Sequence, residues 1–212
     1  MRIDLPKVYP ITDRRLTGLS HAEQVARLCE GGASLIQLRE KHLTPRGFYL
    51  EAADALRVAR SYGARVVVND RADIALALGA DGLHLGQDDL RPDAARRVLG
   101  DDALVGFSTH NAAQATEAAL LPVSYVAIGP VFTTASKENP DPVVGLDTLR
   151  RVRSITHGIP LVAIGGITPA NARAVLEAGA DSLAVIGAVL SDDPADITRR
   201  MRDFLDALRD GH

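Results

Sequence analysis

The most informative stretch of this chain reads Arg65-Val-Val-Val-Asn-Asp-Arg-Ala-Asp-Ile-Ala-Leu-Ala-Leu-Gly-Ala-Asp-Gly-Leu-His-Leu-Gly-Gln-Asp-Asp89. It holds two short apolar runs, Val66–Val68 and Gly82–Leu85, separated by an alanine- and leucine-rich segment that breaks at Gly79. Two strands joined by a helix run parallel, so the polar residues that follow both runs are expected at the same rim of one sheet. The pattern predicts a strand-helix-strand unit.

The same unit recurs along the whole chain. The apolar runs predict strands at Val8–Thr12, Ser34–Arg39, Arg65–Asn69, Gly82–Leu85, Leu104–Ser108, Tyr125–Pro130, Pro160–Gly165 and Ser182–Ile186, with helical spacing between them. Their hydrophobicity is continuous rather than alternating, which is typical of a parallel sheet covered on both sides. Eight such units in 212 residues predict a single (β/α)8 barrel domain over residues 1–212.

Turn residues agree with this period. Glycines stand where helices should end, for example at Gly63 and Gly79, and Thr168-Pro169 has the form of a helix N-cap followed by a first-turn proline. The longest stretch without the repeat runs from Phe132 to Val144. A loop of that length after a barrel strand is often functional, so we predict a mobile flap at 132–144.

Composition narrows the class of protein. A net charge of −3 without a basic run argues against nucleic acid as a partner. The single cysteine, Cys29, lies in a helical apolar pattern, which predicts a buried structural thiol and a reducing compartment. No apolar run approaches the ~20 residues of a membrane span. We therefore expect a cytoplasmic protein without membrane contact; the sequence leaves open whether it forms a homo-oligomer.

In a (β/α)8 barrel, the chemistry sits at the carboxyl ends of the strands. Asp70 and Asp89 follow the third and fourth predicted strands, which are neighbours. Two carboxylates placed there can share a hard cation such as Mg²⁺, which prefers oxygen ligands. The alternative is that Asp70 caps the next helix and Asp89 lies in a turn, and these residues alone leave both interpretations open.

The end of the second strand, Gln37-Leu-Arg-Glu-Lys41, is unusually polar. Side chains alternate along a strand, so Gln37, Arg39 and Lys41 should share the face that points into the barrel mouth. A cationic mouth needs an anionic partner, and arginine with lysine suits a diphosphate. An internal ion pair with Asp70 or Asp89 is the alternative.

Three further segments bear on the site. Ala163-Ile-Gly-Gly-Ile167 precedes a predicted helix start, where glycines and a helix N-terminus favour a phosphate; the alternative is a tight turn without a ligand. Ser108-Thr-His110 ends the fifth strand, but no second acid of obvious triad spacing accompanies it, which argues against a hydrolytic triad. His84 is more typical of a core histidine than of a metal ligand.

Taken together, the strand endings resemble thiamine phosphate synthase over essentially the whole chain. The resemblance rests on Tyr9-Pro-Ile-Thr-Asp13, Gln37-Leu-Arg-Glu-Lys41, Val68-Asn-Asp70, His84-Leu-Gly-Gln-Asp-Asp89, Ser108-Thr-His110, Gly129-Pro-Val-Phe132 with Thr134 to Lys137, and Ala163-Ile-Gly-Gly-Ile167. Each motif is weak alone, whereas their combination in order is specific.

This resemblance implies a reaction and a set of roles. The family joins 4-amino-2-methyl-5-hydroxymethylpyrimidine diphosphate to 4-methyl-5-hydroxyethylthiazole phosphate and releases diphosphate. By motif, the pyrimidine diphosphate would be held by Gln37, Arg39, Lys41 and Asn69, with Ser108 and Lys137 also in contact; Mg²⁺ by Asp70 and Asp89; and the thiazole phosphate by Thr134, Ala135, Ser136, Gly166, Ile186 and Gly187. Arg39, Lys41, Ser108 and Lys137 would act on the reacting groups.

Two departures from the family pattern concern the thiazole side. The flap reads Thr134-Ala-Ser-Lys137 where the family usually has Thr-x-Thr-Lys, and Gly187 stands where a serine is usual. Two alternative functions remain at this point: a thiazole tautomerase-like isomerase on the same barrel, and a non-catalytic phosphate-binding barrel. Retention of Asn69, Asp70, Asp89 and Lys137 favours the synthase.

Overall fold

A computed structural model describes residues 4–134 and 141–209 of the chain. The strands in this part are β1 (Val8–Thr12), β2 (Leu35–Leu38), β3 (Arg65–Asn69), β4 (Gly82–Leu85), β5 (Leu104–Thr109), β6 (Tyr125–Ile128), β7 (Leu161–Ile164) and β8 (Ser182–Val185). The helices are α1 (Arg14–Thr17), α2 (His21–Glu30), α3 (Pro45–Ser61), α4 (Ala72–Leu78), α5 (Pro92–Leu99), α6 (Ala112–Ala118), α7 (Gly145–Ile155), α8 (Pro169–Glu177) and α9 (Pro194–Arg209).

The strands close into a barrel. Each one pairs in parallel with the next, and β1 pairs with β8, so none of these eight described strands is an edge strand. The predicted (β/α)8 fold is therefore confirmed. The differences from the prediction are small: β2, β6, β7 and β8 are each shorter than the predicted strands, β5 is one residue longer, and the short helix α1 was not predicted.

Two apolar layers explain why the strands read as continuous hydrophobic runs. Residues that point outward, such as Ile36 and Leu38, pack against the helices in the larger cluster. Residues that point inward, such as Leu35 and Val67, form a smaller cluster inside the barrel. In β2 this places Gln37 on the inner face, as the alternation predicted, and buries it there.

The predicted helix boundaries are also observed. Gly63, Gly79 and Gly179 have φ angles of 69°, 58° and 112°, the left-handed conformation that favours glycine. Asn171 in the first turn of α8 accepts a hydrogen bond from the Thr168 backbone N–H at 2.8 Å. Pro169 begins that helix, as predicted.

Carboxylates at the amino ends of the strands stabilise the barrel. Asp81 accepts a hydrogen bond from the Val66 backbone N–H at 2.7 Å, and Asp181 accepts one from Leu161 at 2.7 Å. A shallow cavity of about 950 Å³ lies at this end. Arg96, one of two arginines in its lining, donates hydrogen bonds to the backbone carbonyls of Pro122, Asp101 and Ala103. These hydrogen bonds connect neighbouring loops, and they occupy the Arg96 guanidinium with backbone carbonyls.

Two predictions about the whole chain can be compared with the described residues. Cys29 is buried, and burial raises the pKa of its thiol to about 11, which agrees with an unreactive structural thiol. Among the helices of the described residues, none combines the length and apolarity that a bilayer crossing requires.

Candidate active site

A cavity of about 520 Å³ opens at the carboxyl ends of the strands. It brings together most of the residues that the sequence predicted for the site: Gln37, Arg39, Lys41, Asn69, Asp70, Asp89, Ser108, Thr134 and Ile186. Gly166 and Gly187 lie in the adjoining loops but do not line the cavity. Ser136, Lys137 and much of the predicted flap at 132–144 lie outside the described residues.

Asp70 occupies an unusual position at the end of β3. Its φ angle is 63°, and it is the one residue other than glycine with a positive φ in the described part of the chain. Its backbone N–H donates to the His84 carbonyl at 2.8 Å, while Arg71 N–H donates to the Asn69 carbonyl at 2.8 Å. This tight reversal places the Asp70 side chain in the cavity lining. Because Arg71 is the N-cap of α4, Asp70 does not cap that helix.

Asp89 lies in the turn after β4. One carboxylate oxygen, Oδ2, accepts the Gly86 backbone N–H at 2.7 Å. This contact holds the side chain at the cavity, which the residue also lines. The turn predicted as an alternative is therefore real, and it orients the carboxylate toward Asp70.

The neighbouring Asp89 affects the pKa of Asp70. The pKa of Asp70 is raised, first by burial and also by the neighbouring Asp89, while the ammonium of Lys41 acts in the opposite direction. Two adjacent carboxylates supply the oxygen ligands that a divalent cation such as Mg²⁺ prefers. Asp70 and Asp89 thus fit the Mg²⁺ that the resemblance implies, with the remaining ligands left to water or substrate.

The cationic groups after β2 are paired with carboxylates. Lys41 Nζ forms an ion pair with Asp70 Oδ2. Arg39 Nη1 lies 3.1 Å from Asp13 Oδ2, and the other oxygen of Asp13 accepts the Arg15 backbone N–H at 2.9 Å. The internal ion pair considered as an alternative is therefore present for Lys41. It does not exclude a ligand, because both cations line the cavity and can exchange a carboxylate for phosphate oxygens.

Sequence reasoning missed the group that shapes the loop carrying these cations. Glu40 Oε1 accepts backbone N–H groups from His42 at 2.7 Å and Leu43 at 3.1 Å. Its other oxygen lies 3.5 Å from His21 Nε2 and 3.9 Å from Arg14 Nη1. The sequence places Glu40 on the opposite side of the strand ending from Arg39 and Lys41, which was the available signal. Its anchoring fixes the backbone between the two cations.

The floor of the cavity is polar but uncharged. Burial raises the pKa of Tyr9 to about 12 and that of Tyr125 well above 10, and it lowers the pKa of His84 to about 4. Both ring nitrogens of His84 are bound, to Tyr125 and Ser108. His84 is thus a satisfied core histidine, as predicted, but it also lines the site.

The geometry around Ser108 argues against hydrolysis by a triad. His84 Nε2 lies 2.8 Å from Ser108 Oγ, but its other nitrogen faces the Tyr125 hydroxyl at 3.0 Å rather than a carboxylate. His110, which follows β5, has its Nδ1 2.8 Å from the Gly129 carbonyl oxygen and 3.6 Å from Asp141 Oδ2. Within the described residues, His84 contacts the Ser108 hydroxyl without an acid, and His110 lies near an acid without contacting Ser108, so the three members of a triad do not meet at one histidine.

The glycine pair after β7 makes a close turn against the loop after β6. A Cβ atom on Gly165 would lie 2.4 Å from Pro130 Cβ, and one on Gly166 would lie 2.5 Å from the Thr133 carbonyl oxygen. Both glycines also have positive φ angles, 101° and 64°. This packing explains the motif structurally; a phosphate contact at Gly166 stays a prediction.

Comparison with known proteins agrees with this geometry. A sequence model described as thiamine monophosphate synthase matches residues 8–189. The chain belongs to the thiamine monophosphate synthase family. The matched segment contains every residue proposed for the site, from Gln37 to Gly187.

Two relatives and one solved structure place the chain within the thiamine monophosphate synthase family. It is 46% identical over 213 residues to the thiamine-phosphate synthase of Koribacter versatilis, covering 97% of each chain. It is 46% identical over 189 residues to that of Clostridium novyi, covering 88% of this chain and 92% of the relative. The solved thiamine phosphate pyrophosphorylase of Pyrococcus furiosus superposes with a TM-score of 0.83 at 36% identity, covering 96% of this chain and 95% of that one.

Proposed function

We propose that this protein is a transferase that joins 4-amino-2-methyl-5-hydroxymethylpyrimidine diphosphate to 4-methyl-5-hydroxyethylthiazole phosphate. The bond between the pyrimidine methylene carbon and the diphosphate oxygen breaks, and diphosphate leaves with the electron pair. The thiazole nitrogen forms the new bond to the methylene carbon, giving thiamine phosphate. Membership of the family and the names of relatives that span nearly the whole chain support this activity.

One observation carries the proposal at the level of chemistry. Two adjacent carboxylates, Asp70 and Asp89, share a cavity with the cations Arg39 and Lys41. A departing diphosphate is the product that needs both: cations to neutralise its charge directly, and acidic groups to hold a metal beside it. Neither alternative function requires this combination, and the curated relatives carry the synthase name.

The protein side chains have separate tasks in this scheme. Arg39 and Lys41 bind diphosphate oxygens, Arg39 through its planar guanidinium and Lys41 as a point charge. Asn69, whose side chain has no hydrogen-bond partner within the described residues, and Gln37 orient the pyrimidine. Lys137 is proposed as a further cation for the leaving group, with Thr134, Ser136, Gly166, Ile186 and Gly187 holding the thiazole phosphate.

Mg²⁺ is proposed as the cofactor, held by Asp70 and Asp89. When bound, it would stabilise negative charge on the leaving diphosphate. A protein nucleophile or general base is not needed, because the aminopyrimidine ring delocalises the positive charge left on its methylene carbon. The remaining work is positioning two substrates and excluding competing attack by water. Given these substrates and the reducing conditions expected from Cys29, we propose a cytoplasmic location.

The test is a substrate-omission assay on the full-length protein. Diphosphate release is expected only when both substrates and Mg²⁺ are present, with one thiamine phosphate formed per diphosphate. Isomerisation of a thiazole substrate without diphosphate release would favour the tautomerase-like alternative. Binding of either substrate without turnover would favour the non-catalytic alternative.

A further inference from the structure

A continuous row of hydrogen bonds crosses the floor of the cavity. Gln37 Nε2 lies 3.1 Å from Tyr9 Oη, which lies 3.1 Å from Tyr125 Oη. Tyr125 Oη lies 3.0 Å from His84 Nδ1, and His84 Nε2 lies 2.8 Å from Ser108 Oγ. We refer to these five side chains as the floor network. It joins Gln37 and Ser108, two proposed substrate contacts that approach the cavity from β2 and β5.

The floor network has a direction because its first member can only donate. An amide nitrogen has no acceptor capacity, so Gln37 Nε2 donates to the Tyr9 oxygen. The single Tyr9 proton then goes to Tyr125, its other hydrogen-bond partner within the described residues. Tyr125 in turn donates its proton to His84 Nδ1. The imidazole must therefore carry its own proton on Nε2 and donate it to Ser108 Oγ.

We propose that the floor network fixes the Nε2–H tautomer of His84 and thereby makes Ser108 a hydrogen-bond donor to the ligand. Once Ser108 Oγ accepts from His84, its hydroxyl proton is available to the cavity that the residue lines. Tyr9, Tyr125 and His84 act as positioning residues. An activated serine nucleophile would need the opposite arrangement, with the imidazole accepting the serine proton.

The network is also uncharged, which suits this task. Each nitrogen of His84 faces a hydroxyl rather than a carboxylate, and the side chain lies inside the barrel. The ring of Tyr125 stacks on it with centroids 5.6 Å apart. A neutral imidazole can hold one nitrogen as acceptor and the other as donor, which an imidazolium cannot do.

The residue paired with Tyr125 on the neighbouring strand β5 is Gly106. Because glycine has no side chain, it leaves room for the Tyr125 ring. A Cβ atom on Gly106 would lie 2.1 Å from Tyr125 Cζ and 2.3 Å from its hydroxyl oxygen. Any side chain at Gly106 would displace the phenol from its place between Tyr9 and His84. Gly106 therefore leaves the space that the network needs.

Ser108 as a donor requires an acceptor on the ligand. This inference rests on the proposed function for the identity of that acceptor, which is either an oxygen of the diphosphate or a ring nitrogen of the pyrimidine. Both accept hydrogen bonds. A serine that donated its single hydroxyl proton to His84 could not donate it to either of them. The direction of the floor network thus determines that Ser108 offers the ligand a hydrogen-bond donor.

The direct test is nitrogen NMR of the full-length protein labelled with ¹⁵N-histidine. The His84 ring signals are assigned by comparison with the His84→Gln variant. We expect Nδ1 unprotonated and Nε2 protonated at neutral pH. A proton on Nδ1 alone, or on both nitrogens, would overturn the inference. An inactive wild-type protein with the expected tautomer would contradict the proposed function but support the tautomer assignment.

Matched tyrosine variants test the source of the tautomer. Tyr125→Phe removes the donor to Nδ1, so we expect both tautomers and a fall in kcat of about tenfold. Tyr9→Phe leaves Tyr125 with His84 as its remaining partner, so the Nε2–H tautomer should persist. Retention of one tautomer and of full turnover in Tyr125→Phe would contradict the inference.

Ser108→Ala distinguishes the two possible acceptors. Weaker binding of inorganic diphosphate in the presence of Mg²⁺ would assign the acceptor to the diphosphate. Unchanged diphosphate binding with a raised KM for the pyrimidine substrate would assign it to the ring. If both quantities stay at wild-type values, Ser108 donates to neither group and the inference fails.

Discussion

Lys41 and Asp70 form an ion pair that joins the loop after β2 to the end of β3. The pair holds a cation beside one of the two carboxylates proposed for Mg²⁺, at the mouth of the barrel. It also lowers the cost of ionising Asp70, whose pKa burial and Asp89 both raise. Lys41 therefore favours the ionised form of Asp70, and Asp70 holds the Lys41 ammonium at the place where we propose that a diphosphate with its metal binds.

The first prediction concerns Lys41. Lys41→Gln should lower kcat/KM for the pyrimidine diphosphate by about a hundredfold, because a charge-assisted contact to the leaving group is lost. The free energy of unfolding should change by less than about 1 kcal/mol, since the Lys41 side chain is 45% exposed. Steady-state kinetics and urea unfolding measure the two effects. Arg57→Gln, which removes an exposed pair on α3, is the control and should retain wild-type kinetics.

The second prediction separates the two neighbouring aspartates. Asp89→Asn keeps an oxygen that can accept the Gly86 N–H but removes the charge, so the turn should survive while Mg²⁺ affinity falls by about 10- to 100-fold. Asp88→Asn is the matched control, because only Asp89 makes that turn contact. Isothermal titration with Mg²⁺ and inorganic diphosphate measures the difference. Equal losses in both variants would contradict the assignment of Asp89.

The turnover rate should also depend more strongly on Asp89 than on His84. Asp89→Ala is expected to reduce turnover far more than His84→Ala, because His84 acts through Ser108 rather than on the leaving group. Steady-state turnover at saturating Mg²⁺ provides the measurement. The reverse ranking would show that the acidic pair does not hold the metal.

The third prediction concerns Glu40, which anchors the loop between the two cations. Glu40→Ala leaves two backbone N–H groups and Arg14 without this buried partner, so we expect a loss of about 2–4 kcal/mol in unfolding free energy. Glu40→Gln retains an acceptor for the N–H groups and should lose less. Both variants should raise KM for the pyrimidine diphosphate by displacing Arg39 and Lys41. Thermal unfolding and KM measurements test this; a normal KM in a destabilised Glu40→Ala would limit the role of Glu40 to stability.

The fourth prediction concerns acid stability. The pKa of His84 is about 4 in the folded protein and 6.5 when exposed, so the unfolded chain binds the extra proton first as pH falls. The contribution of neutral His84 to the free energy of unfolding is complete above pH 6.5. It is lost on acidification to about pH 4, which lowers the free energy of unfolding by about 3 kcal/mol. Urea unfolding at several pH values measures the slope. His84→Gln should flatten it, and an equally steep slope in that variant would place the titration elsewhere.

Much of the fold follows from local sequence patterns. Short apolar runs, glycines at helix ends and Thr168-Pro169 identified the eight strands and many of the turns, because a parallel barrel buries both faces of each strand. The ends of β2, β6, β7 and β8 were placed too far along the chain. After β8 the apolar run continues to Ile186, which packs against the core beyond the last strand residue.

The candidate site was predictable where one strand ending carries its own chemistry, as at Gln37 to Lys41 and at Asn69-Asp70. The ion pairs were harder to predict, because Asp13 and Arg39 are distant in sequence and meet only through barrel closure. The floor network was missed as a unit for the same reason. Tyr9 and Tyr125 are 116 positions apart and each looks like an ordinary strand residue.

The central claim is that this cavity joins two phosphorylated substrates with release of diphosphate. The most direct measurement follows thiamine phosphate and diphosphate in one reaction containing the purified protein, both substrates and Mg²⁺, before and after EDTA. We predict equal amounts of the two products, loss of both with EDTA, and recovery when Mg²⁺ is added back. Absence of thiamine phosphate would contradict the proposed function, and unchanged turnover in EDTA would contradict the metal site at Asp70 and Asp89.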